Sequence, residues 1–147
     1  MKIIKFKMDD REPISNLLIS PLVDGLCLEK IRLKVGDYVC DELGLCVERK
    51  QIDDLCSSIM DGRIETQVKK MNEKYEECWV IIVGKMENRT SDIHDNCVMG
   101  KVLSLIIKYG VRVMWVEDEF QFLWCLRNIA GKLQEMNEMK GGEEDEI

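Results

Sequence analysis

At 147 residues, with 46% hydrophobic and 33% charged side chains, the chain has the size and apolar content of one globular domain, which excludes a disordered or low-complexity protein. Its longest apolar run, residues 78–84, is far too short to span a membrane, and residues 1–10 lack the continuous apolar stretch of a secretory signal. The formal charge of −7 argues against strong unaided binding to nucleic acid, although residues 1–140 hold 21 bases against 24 acids, a net −3, so that local fields matter more than the total.

Residues 2–8 put Ile4, Phe6 and Met8 on one face, as a half-buried strand does. Residues 13–19 read as a short helix with Pro13 suited to its first turn. Alternation returns over 28–39, where Ile31, Leu33 and Val35 face one way and Lys30, Arg32 and Lys34 the other. Asp41–Gly44 make a turn into residues 45–50, so that 36–54 reads as two short strands and a turn. Residues 51–62 form a helix ending near Gly62, and 63–75 a second one with Ile64, Val68, Met71 and Tyr75 on one stripe. The apolar, β-branched run 78–84 is a fully buried strand. After a polar loop, 88–96, come a helix closed by Gly110, a strand over 111–116, and a helix from about Glu119 to Met139. The order β-α-β-β-β-α-α-β-α-β-α predicts a three-layer α/β domain, a mixed central sheet with helices on both faces, over residues 1–138. Residues 139–147 read as an acidic, disordered tail.

The seven cysteines are odd in number and none has zinc-ligand spacing, so most read as small core residues of an intracellular protein rather than a disulfide framework. His94 has no second histidine to share a site with and reads as a surface or helix-start residue. Lys34, Lys50, Arg63, Lys69 and Lys70 are placed to make a basic face.

Residues 36–54 hold an unusual density of charge. Asp37, Glu48, Arg49, Lys50 and Asp54 stand among Val39, Leu45 and Val47, and buried charge is costly unless it is paired or binds an ion. Glu48 and Lys50, two apart on a strand, point to one face and Arg49 to the other. Asp37, at the end of the preceding strand, can meet Glu48 across the hairpin. Two converging carboxylates with a lysine alongside suit a hard divalent cation, with Lys50 near a water or phosphate oxygen. Asp9 adds a third carboxylate if the first strand neighbours the hairpin. Taken alone, the pattern recurs by chance, and surface ion pairs on an edge hairpin are then the favoured explanation.

Gly36, Asp37 and Tyr38, then Val47, Glu48, Arg49, Lys50 and Asp54, closely resemble the nuclease signature of the XPF/Hef/Mus family of structure-specific DNA endonucleases. Residues 9–12 resemble that family's opening D-x-R-E segment, residues 57–71 its S-x-I-x-D-x-R-x-x-x-Q helix pair, and residues 80–84 and 109–115 the remainder of its nuclease domain, so the likeness covers roughly residues 3–135. The resemblance implies a restriction-endonuclease-like fold and a Mg²⁺ or Mn²⁺ cofactor. It implies Asp37 and Glu48 as metal ligands, with Asp9 close by and the Val47 or Arg49 carbonyl as a further ligand. Lys50 would orient the attacking water or stabilise the charged phosphorus. Arg49 and Asp54 join the catalytic set, and Arg11, Arg63 and Gln67 contact phosphate or brace the site.

The implied activity is cleavage of one strand of branched DNA (a 3′ flap, splayed arm or fork) near the duplex junction, in repair and recombination. Such domains form homo- or heterodimers, for which Val98, Met99, Val102, Leu105, Ile106, Phe120, Phe122, Leu123, Trp124 and Leu126 offer surplus apolar surface. Family members usually continue into helix-hairpin-helix modules, and some carry a helicase domain. Neither is expected within these residues, so the chain is either a domain excised from a longer protein or one that borrows DNA affinity from a separate DNA-binding or helicase partner. Residence would be cytoplasmic in a prokaryote and nuclear in a eukaryote. Two rival functions are a dimerisation scaffold silent on its own and a phosphodiesterase of small nucleotides.

Overall fold

Residues 2–145 are described by a computed structural model. The first strand, β1 (Ile4–Asp9), buries Ile4, Phe6 and Met8 on one sheet face, as their alternation requires. The helix α1 (Ile14–Ile19) follows with Pro13 at its cap, one residue earlier than the first turn expected for it. β2 (Leu26–Ile31) lies parallel to β1, with Ile4 opposite Leu26.

The alternating stretch 28–39 is not one strand. β2 stops at Ile31, and the chain returns on the other side of β1 as β3 (Tyr38–Cys40), antiparallel to it. The Asp10 N–H donates to the Ile31 carbonyl and the Asp9 N–H to the Asp37 carbonyl, so the connection is stitched to β1 at both ends. Gly36 makes it possible: its φ is +77°, and a Cβ there would lie 2.3 Å from Cys46 Sγ.

β3 then turns through Gly44 into β4 (Leu45–Gln51), with Tyr38 opposite Val47, which closes the expected hairpin. Two helices, α2 (Ile52–Met60) and α3 (Arg63–Lys74), lead to the buried strand β5 (Glu77–Val83), parallel to β4. α4 (Asp95–Tyr109) is capped by His94, whose Nδ1 accepts the Asn96 N–H at 3.0 Å, and ends at Gly110 with φ +67°. β6 (Arg112–Val116) runs parallel to β5, and α5 (Glu119–Asp145) completes the chain.

The sheet order is β2-β1-β3-β4-β5-β6. α1 and α5 cover the face carrying Phe6, Tyr38 and Ile81, while α2, α3 and α4 cover the face carrying Val39, Cys46 and Ile82, which gives the three layers expected. Cys40, Cys46, Cys56, Cys78 and Cys125 are buried and unbridged, whereas Cys27 and Cys97 are exposed. No helix among the described residues is long and apolar enough to cross a membrane.

The backbone corrects the disordered tail read at 139–147: α5 stays helical to Asp145. Once a packed helix exists, each further residue adds a hydrogen bond, and Glu tolerates that conformation well. Residues 146–147 lie outside the described residues.

Candidate active site

Sheet alternation brings the charged hairpin together. Met8, Tyr38 and Val47 face α1 and α5, so Asp9, Asp37, Glu48 and Lys50 project from the opposite face, toward α2 and α3. Asp37 is held on three sides. Its N–H donates to the Val47 carbonyl at 2.9 Å, its carbonyl accepts the Asp9 N–H at 2.8 Å, and its Oδ2 accepts the Arg49 N–H at 2.7 Å.

The Asp37 and Glu48 carboxyls come close enough to perturb one another, as expected for side chains meeting across the hairpin. Burial pushes both above the ordinary carboxylate range, Glu48 far above it, where the charge of Asp37 adds to the effect. Glu48 is 5% exposed and its Oε2 is buried without a partner. Lys50, 6% exposed, favours the charged form of both carboxyls.

A hard cation suits this donor set. Oxygen ligands disfavoured as anions by burial and by each other, one of them orphaned, gain a counter-charge and a bond when a divalent ion arrives. The residues therefore fit Mg²⁺ or Mn²⁺. Among the described residues no three His, Cys, Asp or Glu side chains gather as a metal-holding group, so the acidic centre is the Asp37–Glu48 pair.

Asp9 lines the same cleft but is committed elsewhere. Its Oδ1 accepts the Leu33 N–H at 2.8 Å and its Oδ2 the Arg11 Nε–H at 2.8 Å. Burial alone would raise its pKa, but these bonds outweigh it and hold the carboxyl below the usual value. The Val47 carbonyl is occupied by the β3–β4 ladder. A strand residue's N–H and C=O share an edge, so the Arg49 carbonyl lies on the Asp37 side beyond the last paired residue, the more available of the two expected carbonyls.

The cleft, about 310 Å³, is walled by Asp9, Arg11, Glu12, Lys34, Asp37, Glu48, Gln67 and Lys70. Gln67 also borders a neighbouring groove with Arg63 and Lys70, and its Oε1 is buried and unpartnered. Arg63 pairs with Asp61 at 2.7 Å outside the cleft. Asp54 is exposed in the first turn of α2 and does not line the cleft. Of the basic face, Lys34 and Lys70 reach the cleft, while Lys50 is buried and does not line it.

Arg49 turns to the other face, as its spacing predicts. Its Nη2 donates to Glu119 Oε1 at 2.7 Å, and Glu12 lies 3.5 Å from Nη1. Burial, then the charge of Asp37, push Glu12 up to about 8 against the pull of Arg49. No sequence pattern assigned roles to Glu12, Asn16 or Glu119. A glutamate beginning a helix reads as an ordinary response to the helix dipole, and its partner lies 70 residues away.

Residues 8–123 match the family model described as the ERCC4 domain. The chain is 32% identical over 133 residues to a Methanocaldococcus jannaschii protein named for an ATP-dependent RNA helicase, covering 90% of this chain and 16% of that one. It is 29% identical over 135 residues to the 3′-flap repair endonuclease Xpf of Saccharolobus solfataricus, covering 90% of this chain and 57% of that one. Among solved structures it is similar to XPF from Aeropyrum pernix in complex with DNA, with TM-score 0.72 and 25% identity over 88% of this chain and 66% of the other. The chain thus spans between a sixth and just over half of the curated relatives named here.

Proposed function

The chain belongs to the ERCC4 domain family of XPF/Hef-type nuclease domains, and from that membership we propose that it is the nuclease centre of a structure-specific endonuclease cutting one strand of branched DNA near the duplex junction. The observation that carries the reading is the Asp37–Glu48 pair, Glu48 buried and Asp37 half-buried, opening into a cleft rimmed by Arg11, Lys34 and Lys70. The names of the relatives, a 3′-flap repair endonuclease and an XPF solved with DNA, favour a flap or fork as substrate and repair as setting.

Asp37, Glu48 and the Arg49 carbonyl would hold Mg²⁺ or Mn²⁺, which supplies phosphoryl polarisation and a more acidic water when bound. The chain's own groups do the rest. Arg11, Lys34 and Lys70 draw the phosphate backbone over the cleft, and the Gln67 amide can donate to a phosphate oxygen at its wall. Lys50, on the same face as the carboxylates, orients the attacking water and offsets the charge gathering at phosphorus. Asp9 keeps Arg11 and the Leu33 main chain in place.

Dimerisation belongs to this reading. Of the expected surplus, Val98, Val102, Leu105, Phe122, Leu123 and Leu126 are buried in the core. Met99, Ile106, Phe120 and Trp124 remain exposed, joined by Leu103, Ile107 and Met114, and together they suit a twofold contact. Action on DNA places the protein inside the cell, with a DNA-binding or helicase partner supplying affinity that its net charge does not.

The test is a Mg²⁺ and Mn²⁺ titration with a fluorescent 3′-flap duplex, wild type beside Asp37→Asn. Cutting near the junction that needs metal and disappears in the variant supports the reading. A folded dimer that cuts nothing at any metal concentration points to the scaffold role, and turnover of a dinucleotide with indifference to branching points to a small phosphodiesterase.

A further inference from the structure

Arg49 belongs to both faces of the sheet. Its peptide N–H lies in the sheet plane and donates to Asp37 Oδ2 at 2.7 Å. Its guanidinium sits under the opposite face, 10% exposed, with Nε and Nη2 donating to Glu119 at 3.0 and 2.7 Å. Asn16 of α1 donates from Nδ2 to Glu119 Oε2 at 3.1 Å and to the Tyr38 hydroxyl at 2.9 Å, and Tyr38 follows Asp37 in the chain. Glu12 places a second carboxylate against the guanidinium. As a way to fasten α5 this is poor, because well-packed apolar side chains hold helices at least as firmly as a buried ion pair. What a buried, bidentate, multiply bonded arginine gives instead is a fixed geometry.

We infer that Glu119 and Asn16 are positioning residues for the carboxylate pair, acting through Arg49. They clamp the guanidinium, the clamp fixes the rotation of the Arg49 peptide, and that peptide fixes the Asp37 carboxylate against Glu48. The inference rests on the reading of Asp37 and Glu48 as the ion-holding pair. It also turns the Nε and Nη2 donors of Arg49 away from the cleft, because Glu119 takes both on the far side of the sheet.

The experiment is direct Mn²⁺ binding without DNA, followed by electron paramagnetic resonance of the free ion. The proteins compared are wild type, Glu119→Gln, Glu119→Asp, Arg49→Ala, the double variant Glu119→Gln/Arg49→Ala, and Asp37→Asn, each checked for folding by thermal unfolding. Glu119→Gln is expected to bind about ten-fold more weakly, the scale on which supporting partners of metal ligands act. Glu119→Asp should recover part of the loss, and the double variant should bind no more weakly than Arg49→Ala alone, because one residue acts through the other.

Wild-type affinity in folded Glu119→Gln, with Asp37→Asn impaired, overturns the positioning role and leaves the proposed centre standing. Mn²⁺ bound no more tightly by wild type than by Asp37→Asn overturns the centre and the positioning role with it. Should Glu119→Gln fail to fold, Asn16→Ser, which removes the amide donor without changing charge, is read in the same way, and unchanged affinity there overturns the inference.

Discussion

Asp9 and Glu48 are almost equally buried, yet their ionisation runs in opposite directions. Asp9 accepts bonds from Arg11 and Leu33 that reward its charge, while Glu48 faces Asp37 and an unfilled acceptor position. The sign of the pH dependence follows. Groups raised above their ordinary values, Glu48 and Glu12, favour the folded state at low pH, and that contribution is lost as pH rises through their folded values, about 8 for Glu12. The lowered Asp9 acts oppositely, losing its contribution only as pH falls below the ordinary 3.8. The melting temperature of the metal-free protein should therefore fall as pH climbs from the ordinary glutamate value toward about 8, and Glu12→Gln should flatten that slope in a differential scanning series. Lys50→Met, which keeps the buried stem, should lower the cleavage rate by about 10²–10⁴, the span typical of a lost proton-handling group, with circular dichroism unchanged. The period of two along a strand made Asp37, Glu48 and Lys50 legible in the sequence. The commitment of Asp9 was not, because it depends on a main-chain N–H at Leu33, which no local pattern announces.

Among the elements, order and type were legible because alternation, helical stripes and glycine stops are local signals. The break between β2 and β3 was hidden because Leu33 and Val35 continue the alternation and do pack, partly buried, against the α2–α4 side of the core. The return of the chain beside β1 needs the close approach of Gly36 to Cys46, and that approach is tertiary. Gly36→Ala should cost about 2–4 kcal/mol in denaturant unfolding, combining a left-handed dihedral with overpacking. Adding Cys46→Ala should return the overpacking share and leave the dihedral share, which separates the two. α5 outlasted its expected end for a similar reason, since the glycines at 141 and 142 weaken a helix without stopping one already packed.

On the scale of the whole molecule, a net charge of −7 surrounds a cleft with local cations, so DNA affinity should be weak and steep in salt. Lys34→Ala and Lys70→Ala should each reduce the slope of log affinity against log salt by about one, measured by fluorescence anisotropy, if each meets one phosphate. The two margins of the sheet are unlike. β2 is guarded by charge: Lys5 pairs with Glu29 at 3.3 Å, and just past its end Arg32 pairs with Asp10 at 2.6 Å, a fringe that repels an incoming strand. β6 shows Met114 to solvent beside Phe120 and Trp124, and among its own residues only Arg112 is charged. A chain with one adhesive margin and one forbidding margin cannot polymerise head to tail. If copies associate through the β6 side, as proposed above, the assembly should close at two, and sedimentation at rising concentration should reach twice the monomer mass and go no further.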